Sequence, residues 1–166
     1  GEYDGAAFVS RFGDRIAAEI GRSCVHADYR NKRIVELLWR GLAHYYRDNK
    51  IERIFGCASF QGTDPAALAL PLSYLYHYHL APPELRARAL PDLYVPMDRI
   101  AKEDISARGA IKQVPALIRA YLRAGGVCGD GAVIDHQFGT TDVFMVLAME
   151  NVPDKYHDYY ERDSLG

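Results

Sequence analysis

Residues 19–46 read EIGRSCVHADYRNKRIVELLWRGLAHYY, and the fold turns on how this stretch changes its period. Ile16, Ile20, Cys24 and Val25 lie among small residues, which predicts a strand over residues 15–25. A polar, basic turn follows at Ala27, Asp28, Tyr29, Arg30 and Asn31. Beyond it Ile34, Leu37, Leu38, Gly41, Leu42 and Tyr45 recur every three or four residues, the spacing of one helix face. That predicts a helix over residues 32–48, capped by Asp28 or Asn31. A strand running through a basic turn into a helix gathers backbone N–H groups and positive charge at one point, which suits a phosphate-bearing ligand. Glu19 and Arg22 stand on the strand just upstream.

Working outward, residues 1–13 read as a loop or short helical turn around Phe8 and Phe12. Residues 51–60 (IERIFGCASF) alternate enough for a second strand. A helix of this length between two strands predicts parallel neighbours with a right-handed crossover. Thr63-Asp64-Pro65 starts a helix that Pro71 kinks or delays, and Pro82-Pro83 stops it. Residues 84–108 carry charge and prolines with little periodicity, which predicts a long surface excursion. Val114-Pro115 opens a helix with Leu117, Ile118, Tyr121 and Leu122 on one face and Gly125-Gly126 as its stop. Residues 127–135 predict a strand interrupted by the turn Gly129-Asp130-Gly131, then a polar loop over 136–141. The run DVFMVLAME over residues 142–150 predicts a last strand buried on both faces. The sum is one α/β domain over residues 1–166, a mixed sheet flanked by helices.

A chain of 166 residues with 49% hydrophobic content can build one domain with a real core. Its net charge of −2 offers no bulk attraction for nucleic acid, and its basic residues are clustered locally, which points to a small anionic ligand. The three cysteines, Cys24, Cys57 and Cys128, lack metal spacing and read as buried reduced thiols of a cytoplasmic protein. No apolar run approaches the roughly 18 residues that span a bilayer. The chain opens at GEYDGAAF without an initiator methionine, as a fragment or a processed form does.

Five motifs carry a resemblance: EIGRSCVHADYR, the LLWRGL helix, FGCASFQGTDP, RAYLRAG and GDGAVIDHQFGTTDVF. Together they resemble the ornithine lipid type of N-acyltransferase, a GNAT-like family related in mechanism to the acyl-homoserine-lactone synthases. The resemblance implies transfer of a (3-hydroxy)fatty acyl group from acyl carrier protein to the α-amino group of an amino acid, most often ornithine. It implies no tightly bound cofactor; the donor is the acyl-phosphopantetheine of the carrier protein, with CoA as the alternative. It also implies a cytoplasmic enzyme, in peripheral contact with the inner face of a bacterial membrane. Members of the family carry further sequence upstream that supplies the first strands. This chain therefore reads as the C-terminal portion of such a fold, with a strand edge to be paired by an upstream chain or a second copy. One motif departs: where GNAT proteins usually read Q/R-x-x-G-x-G/A, residues 30–35 are RNKRIV, so Arg30 matches and both small residues are replaced.

Acyl transfer from a thioester to an amine needs a neutral amine, a stabilised oxyanion and a thiolate able to leave. Glu19 is the candidate base, on a central strand whose burial would raise its pKa toward that task. The Glu19-x-x-Arg22 spacing resembles a pair in the lactone synthases that orients and deprotonates the acceptor. Three residues apart on a strand, the two face opposite ways unless a bulge near Gly21 intervenes, so a plain ion pair is not expected. Arg22 is a candidate for the acceptor's carboxylate or the donor; a sheet-face salt bridge is the plainer alternative. Arg30, Asn31, Lys32 and Arg33, at a helix N-terminus, suit the phosphopantetheine phosphate, against the alternative of a solvated basic turn. Ser23 and Ser59 join the substrate-binding set. Asp135, His136 and Asp142 form a polar cluster suited to the acceptor, including an ornithine δ-ammonium, unless they only satisfy a turn's own backbone. Cys24 with His26 is a weaker nucleophile candidate. His77 and His79, two apart on a helix, face apart and predict no metal site. Two rivals stay open: a GNAT transferase of short acyl groups from CoA, and a non-catalytic acyl or carrier-protein binding module.

Overall fold

The computed structural model describes residues 1–21, 25–29 and 32–153. Four strands, β1 (Ala17–Glu19), β2 (Arg53–Gln61), β3 (Val127–Asp135) and β4 (Thr140–Ala148), form one sheet in the order β1-β2-β4-β3. β1 runs parallel to β2, whereas β2–β4 and β3–β4 are antiparallel, so the sheet is mixed. The helices are α1 (Gly5–Ser10), α2 (Lys32–Asp48), α3 (Ala69–His79), α4 (Ala107–Gln113) and α5 (Ala116–Arg123). α2 occupies the span its apolar period predicts. Every residue of β4 is buried, as expected for an apolar strand between two neighbours with protein on both faces.

Side chains alternate along each strand, so the two faces are distinct. One face presents Ile54, Ala58, Phe60, Val143, Met145 and Leu147 to Leu72 and Leu75 of α3, Val114, and Ile118 and Tyr121 of α5. The other presents Phe55, Val133, Phe144 and Val146 to Tyr3, Phe8 and Phe12 of the N-terminal segment. Phe55 stacks on Phe144 at 5.6 Å, and Phe8 meets both rings edge-on at 5.3 and 5.0 Å. Each such pair adds about 1 kcal/mol beyond area burial, which closes this half of the face. The remaining half is polar.

Gly56 joins the two halves of the motif region. A Cβ there would lie 2.1 Å from the Ile20 carbonyl oxygen, so only glycine lets the chain after β1 cross so near to β2.

Four expectations are corrected. The first strand was expected over residues 15–25. Only Ala17–Glu19 pair as β1, with Ile20 N donating to Phe55 O at 2.7 Å, and β1 stands at one edge of the described sheet, the open edge that the resemblance implies. Residues 98–108 run largely exposed, as expected of a surface excursion, but residues 85–97 do not. They line the outer edge of β3 through the bridges Arg88–Asp130 and Val95–Ala132, with Ala87, Ala89 and Met97 buried. The cause is the edge itself: β3 has unpaired N–H and C=O groups, and Val95 and Ala132 exchange both hydrogen bonds, at 2.9 and 3.0 Å. Gly129-Asp130-Gly131 is a bulge within a continuous β3, with Gly131 at φ 88 and the register shifting between Cys128 and Ala132, rather than a turn that breaks the strand. Cys128 is buried as expected, but Cys57 is exposed because it lies on the polar half-face.

Two helix starts complete the comparison. Asp64 caps its turn by accepting from Ala66 N at 2.9 Å, yet α3 begins only at Ala69, the delay that Pro71 predicts. α4, with Ser106 as its cap, was not read at all, since ARGAIKQ has too few apolar residues to show a period.

Candidate active site

The strand register assembles the site. Glu19 pairs with Phe55, Cys57 with Phe144, Ser59 with Asp142, and Thr140 with both Gln61 and Asp135. Paired residues share a face, and so do residues two apart on one strand. Glu19, Cys57, Ser59, Thr140, Asp142 and Asp135 therefore lie on one face, continuing from the Phe55–Phe144 stack. Four residues chosen from the sequence, Glu19, Ser59, Asp135 and Asp142, are brought to a single surface.

Glu2 joins them, and sequence reasoning missed it. Residues 2–4 are held by backbone bonds to residues 88–90: Leu90 N donates to Glu2 O at 3.0 Å and Asp4 N to Arg88 O at 3.2 Å. The Tyr3 hydroxyl donates toward Gly131 O at 3.0 Å and Asp142 O at 3.1 Å. This anchoring sets the Glu2 carboxylate beside two others, and one oxygen from each of Glu2, Asp135 and Asp142 lies within 4.8 Å of the others. The available signal was the trio Tyr3, Phe8 and Phe12, whose burial marks the segment as core-seeking rather than loop.

The electrostatics follow from this crowding. Burial raises the Glu2 carboxyl above its ordinary range, the charges of Asp142 and Asp135 add to the rise, and a hydrogen bond from Cys57 Sγ at 3.7 Å opposes it. Cys57 keeps contact with solvent, yet loss of surrounding water, then Glu2 and Asp142, and lastly Glu19, push its thiol up to about 12. A thiol held that high is a poor nucleophile at neutral pH. Asp135 Oδ1 accepts from Gln137 N at 2.8 Å and Phe138 N at 3.0 Å, so the turn-satisfying alternative accounts for one of its oxygens. His136 lies exposed in that turn and outside the carboxylate group. Asp142 is only 8% exposed, and its Oδ1 has no hydrogen-bond partner.

Arg22, Ser23, Cys24, Arg30 and Asn31 lie outside the described residues, and Lys32 and Arg33 open α2. Glu19 is exposed, so the burial expected of a central strand is missing; β1 ends after three residues at the sheet's edge. His77 Nε2 bonds Ile100 O at 2.9 Å and His79 Nε2 bonds the Tyr74 hydroxyl at 3.0 Å, so both serve packing, and burial lowers the His79 pKa. Among the described residues, Glu2, Asp135 and Asp142 are the set able to hold a cation.

Residues 1–40 match the acetyltransferase (GNAT) domain family. An L-ornithine N(alpha)-acyltransferase of Brucella abortus is 51% identical over 142 residues, covering 86% of this chain and 50% of that protein. Proteins of the same name are 45% identical in Agrobacterium fabrum, over 96% of this chain and 54% of theirs, and 45% identical in Rhodobacter capsulatus, over 94% and 60%. The chain thus spans about half the length of the curated relatives it matches. No solved structure matches it. The five motifs and these identities agree: with its mixed α/β sheet and GNAT match, the chain is a homologue of the L-ornithine N(alpha)-acyltransferases.

Proposed function

We propose that this chain supplies the catalytic sheet face of an N-acyltransferase that moves a (3-hydroxy)fatty acyl group from acyl carrier protein to the α-amino group of ornithine. The observation that carries this reading is the gathering of Glu19, Ser59, Asp142 and Asp135 on one half-face beside a closed aromatic core. Relatives named L-ornithine N(alpha)-acyltransferase, matched over 86% or more of the chain, support the transfer of an acyl group to ornithine.

In this mechanism Glu19, directly or through water, takes a proton from the acceptor's ammonium. The neutral nitrogen attacks the thioester carbonyl, the new C–N bond forms, and collapse of the tetrahedral oxyanion breaks C–S. The phosphopantetheine thiolate leaves and takes up a proton. Arg22 takes the acceptor's carboxylate, Ser23 and Ser59 border it, and Asp135 and Asp142 face its far end, with His136 in the exposed turn beside them. Arg30, Asn31, Lys32 and Arg33 hold the donor phosphate at the start of α2. No helix among the described residues is long and apolar enough to cross a membrane, so contact with the inner face of the membrane is peripheral in this reading. The β1 edge is completed by the rest of the longer protein or by a second copy.

Bulk at Arg33 and Val35, where small residues usually admit the CoA pyrophosphate, favours the carrier protein as donor. The test is incubation of the full-length protein with labelled acyl carrier protein, or the matching acyl-CoA, and an amino-acid mixture. The expected product is acyl-ornithine, with kcat/KM for the carrier thioester at least about tenfold higher, roughly 1.4 kcal/mol. Added salt is expected to erode that preference, because attraction between Arg30, Lys32 and Arg33 and an acidic carrier is screened. Equal, salt-insensitive use of both donors would replace this reading by a CoA-dependent one, and binding without transfer would replace it by a carrier-binding module.

A further inference from the structure

Glu2, Asp135 and Asp142 crowd one carboxylate oxygen each within 4.8 Å of the others, with no cation paired to them among the described residues. Other acidic groups have a cation at hand, as Glu150 has Arg53 and Asp130 has Arg88. Asp142 is 8% exposed, and its Oδ1 is buried without a partner. Two residues earlier on the same face, the hydroxyl of Thr140, 7% exposed, is also without one. Of the four buried polar atoms without a partner among the described residues, Tyr46 Oη and Arg53 Nε stand apart from the acidic group, whereas Thr140 Oγ1 and Asp142 Oδ1 share its half-face, where a polar ligand can meet both.

We propose that Glu2, Asp135 and Asp142 form a pocket for a primary ammonium group, and that its occupant is the side-chain ammonium of a diamino-acid acceptor. The inference rests on the N-acyltransferase reading above. An alkylammonium offers three N–H donors and no acceptor, which suits three carboxylate oxygens. With bonds of about 2.8 Å in tetrahedral directions, those oxygens stand about 4.6 Å apart, inside the 4.8 Å that bounds the three oxygens here. A calcium ion asks for six to eight oxygens, and one oxygen of Asp135 is already given to the amides of Gln137 and Phe138. The smaller demand of an ammonium is the better fit.

The pocket is also at a useful distance from the proposed base. Asp142 lies two strands across and four residues along from Glu19, roughly 16 Å between α-carbons at about 4.8 Å per strand and 3.3 Å per residue. Two acidic side chains and an extended diamino acid span that gap, with the α-amine at Glu19 and the far ammonium in the pocket. Cys57, which feels the charge of Glu2, Asp142 and Glu19, lies between them. An acceptor of the same length ending in a methyl group would leave the carboxylates unpaired, and a site built on polar contacts rejects such an analogue strongly.

The test compares ornithine with norleucine, which carries a methyl group where ornithine carries its ammonium, on the full-length protein, by calorimetric binding without donor and by acylation kinetics. Ornithine is expected to bind at least about tenfold tighter, a difference that Glu2→Gln and Asp142→Asn each reduce toward none. Glu2→Gln changes only a half-buried, isosteric side chain, so it remains informative if Asp142→Asn fails to fold. Equal binding of the two amino acids, with ornithine still acylated, overturns the pocket and leaves the transferase reading standing. Saturable binding of calcium chloride that ornithine does not compete also overturns it, in favour of a metal site. Preferred ornithine binding that Glu2→Gln abolishes, without any acyl transfer, upholds the pocket and overturns the transferase reading.

Discussion

The two ends of one sheet face treat charge in opposite ways. At one end the Arg53 guanidinium, 3% exposed, bonds both carboxylate oxygens of Glu150 and donates to Glu52 O at 2.8 Å, with Arg15 3.6 Å from the same carboxylate. At the other end three carboxylates share a small volume with no cation paired to them among the described residues. Between the two lies the Phe8, Phe55 and Phe144 packing. Charge that serves the fold is matched within the chain, because an unpaired buried ion costs several kcal/mol. Charge left unmatched in a folded protein therefore marks where a ligand is expected to supply the counter-charge.

Removing one carboxylate from each end breaks this comparison if the two behave alike. Glu150→Ala strands a buried guanidinium and is expected to cost about 3 kcal/mol, read from the urea midpoint at unchanged slope. Adding Arg53→Met to that variant is expected to recover most of the loss, since an apolar side chain of similar size has no charge to leave unpaired. Asp142→Asn, by contrast, relieves repulsion in the unliganded protein and is expected to stabilise it by about 1 kcal/mol. A loss of stability there comparable to that of Glu150→Ala would show the acidic end to be structural.

The smallest effect sharpens the same contrast through pH. Glu2 has a raised pKa in the folded chain, by burial and then by Asp142. A carboxyl raised on folding favours the folded state while protonated, so its contribution is complete below the ordinary glutamate range. It is lost as pH rises through the raised value. The melting temperature of the unliganded protein is thus expected to fall slightly as pH climbs above about 4.5, and to fall less in Glu2→Gln. Identical pH profiles for the two proteins would remove Glu2 from the charge cluster.

What was legible in the sequence was local. α2 could be read to its ends because its apolar period is contained in the helix, and β4 because its run is uniformly apolar. Asp135 and Asp142 stood out as polar residues flanking that run. What was hidden depends on distant partners. Glu2 enters the site only because residues 2–4 pair with residues 88–90 and Tyr3 reaches Asp142, 139 positions away. Residues 84–108 looked polar and aperiodic because their small buried residues, Ala87 and Ala89, serve an edge of β3 rather than a face of their own. The exposure of Glu19 was equally out of reach, since it depends on how many strands lie beyond β1.

The transferase reading stands or falls on the Glu19 carboxylate at the polar half-face. Steady-state acylation of ornithine by the full-length protein, wild type against Glu19→Gln, with ornithine binding measured alongside, isolates its role as the base. Turnover is expected to fall on the order of a hundredfold while folding and ornithine binding are kept. Near-normal turnover of Glu19→Gln from about pH 6 to 9 would contradict it, because no general base could be removed at so little cost.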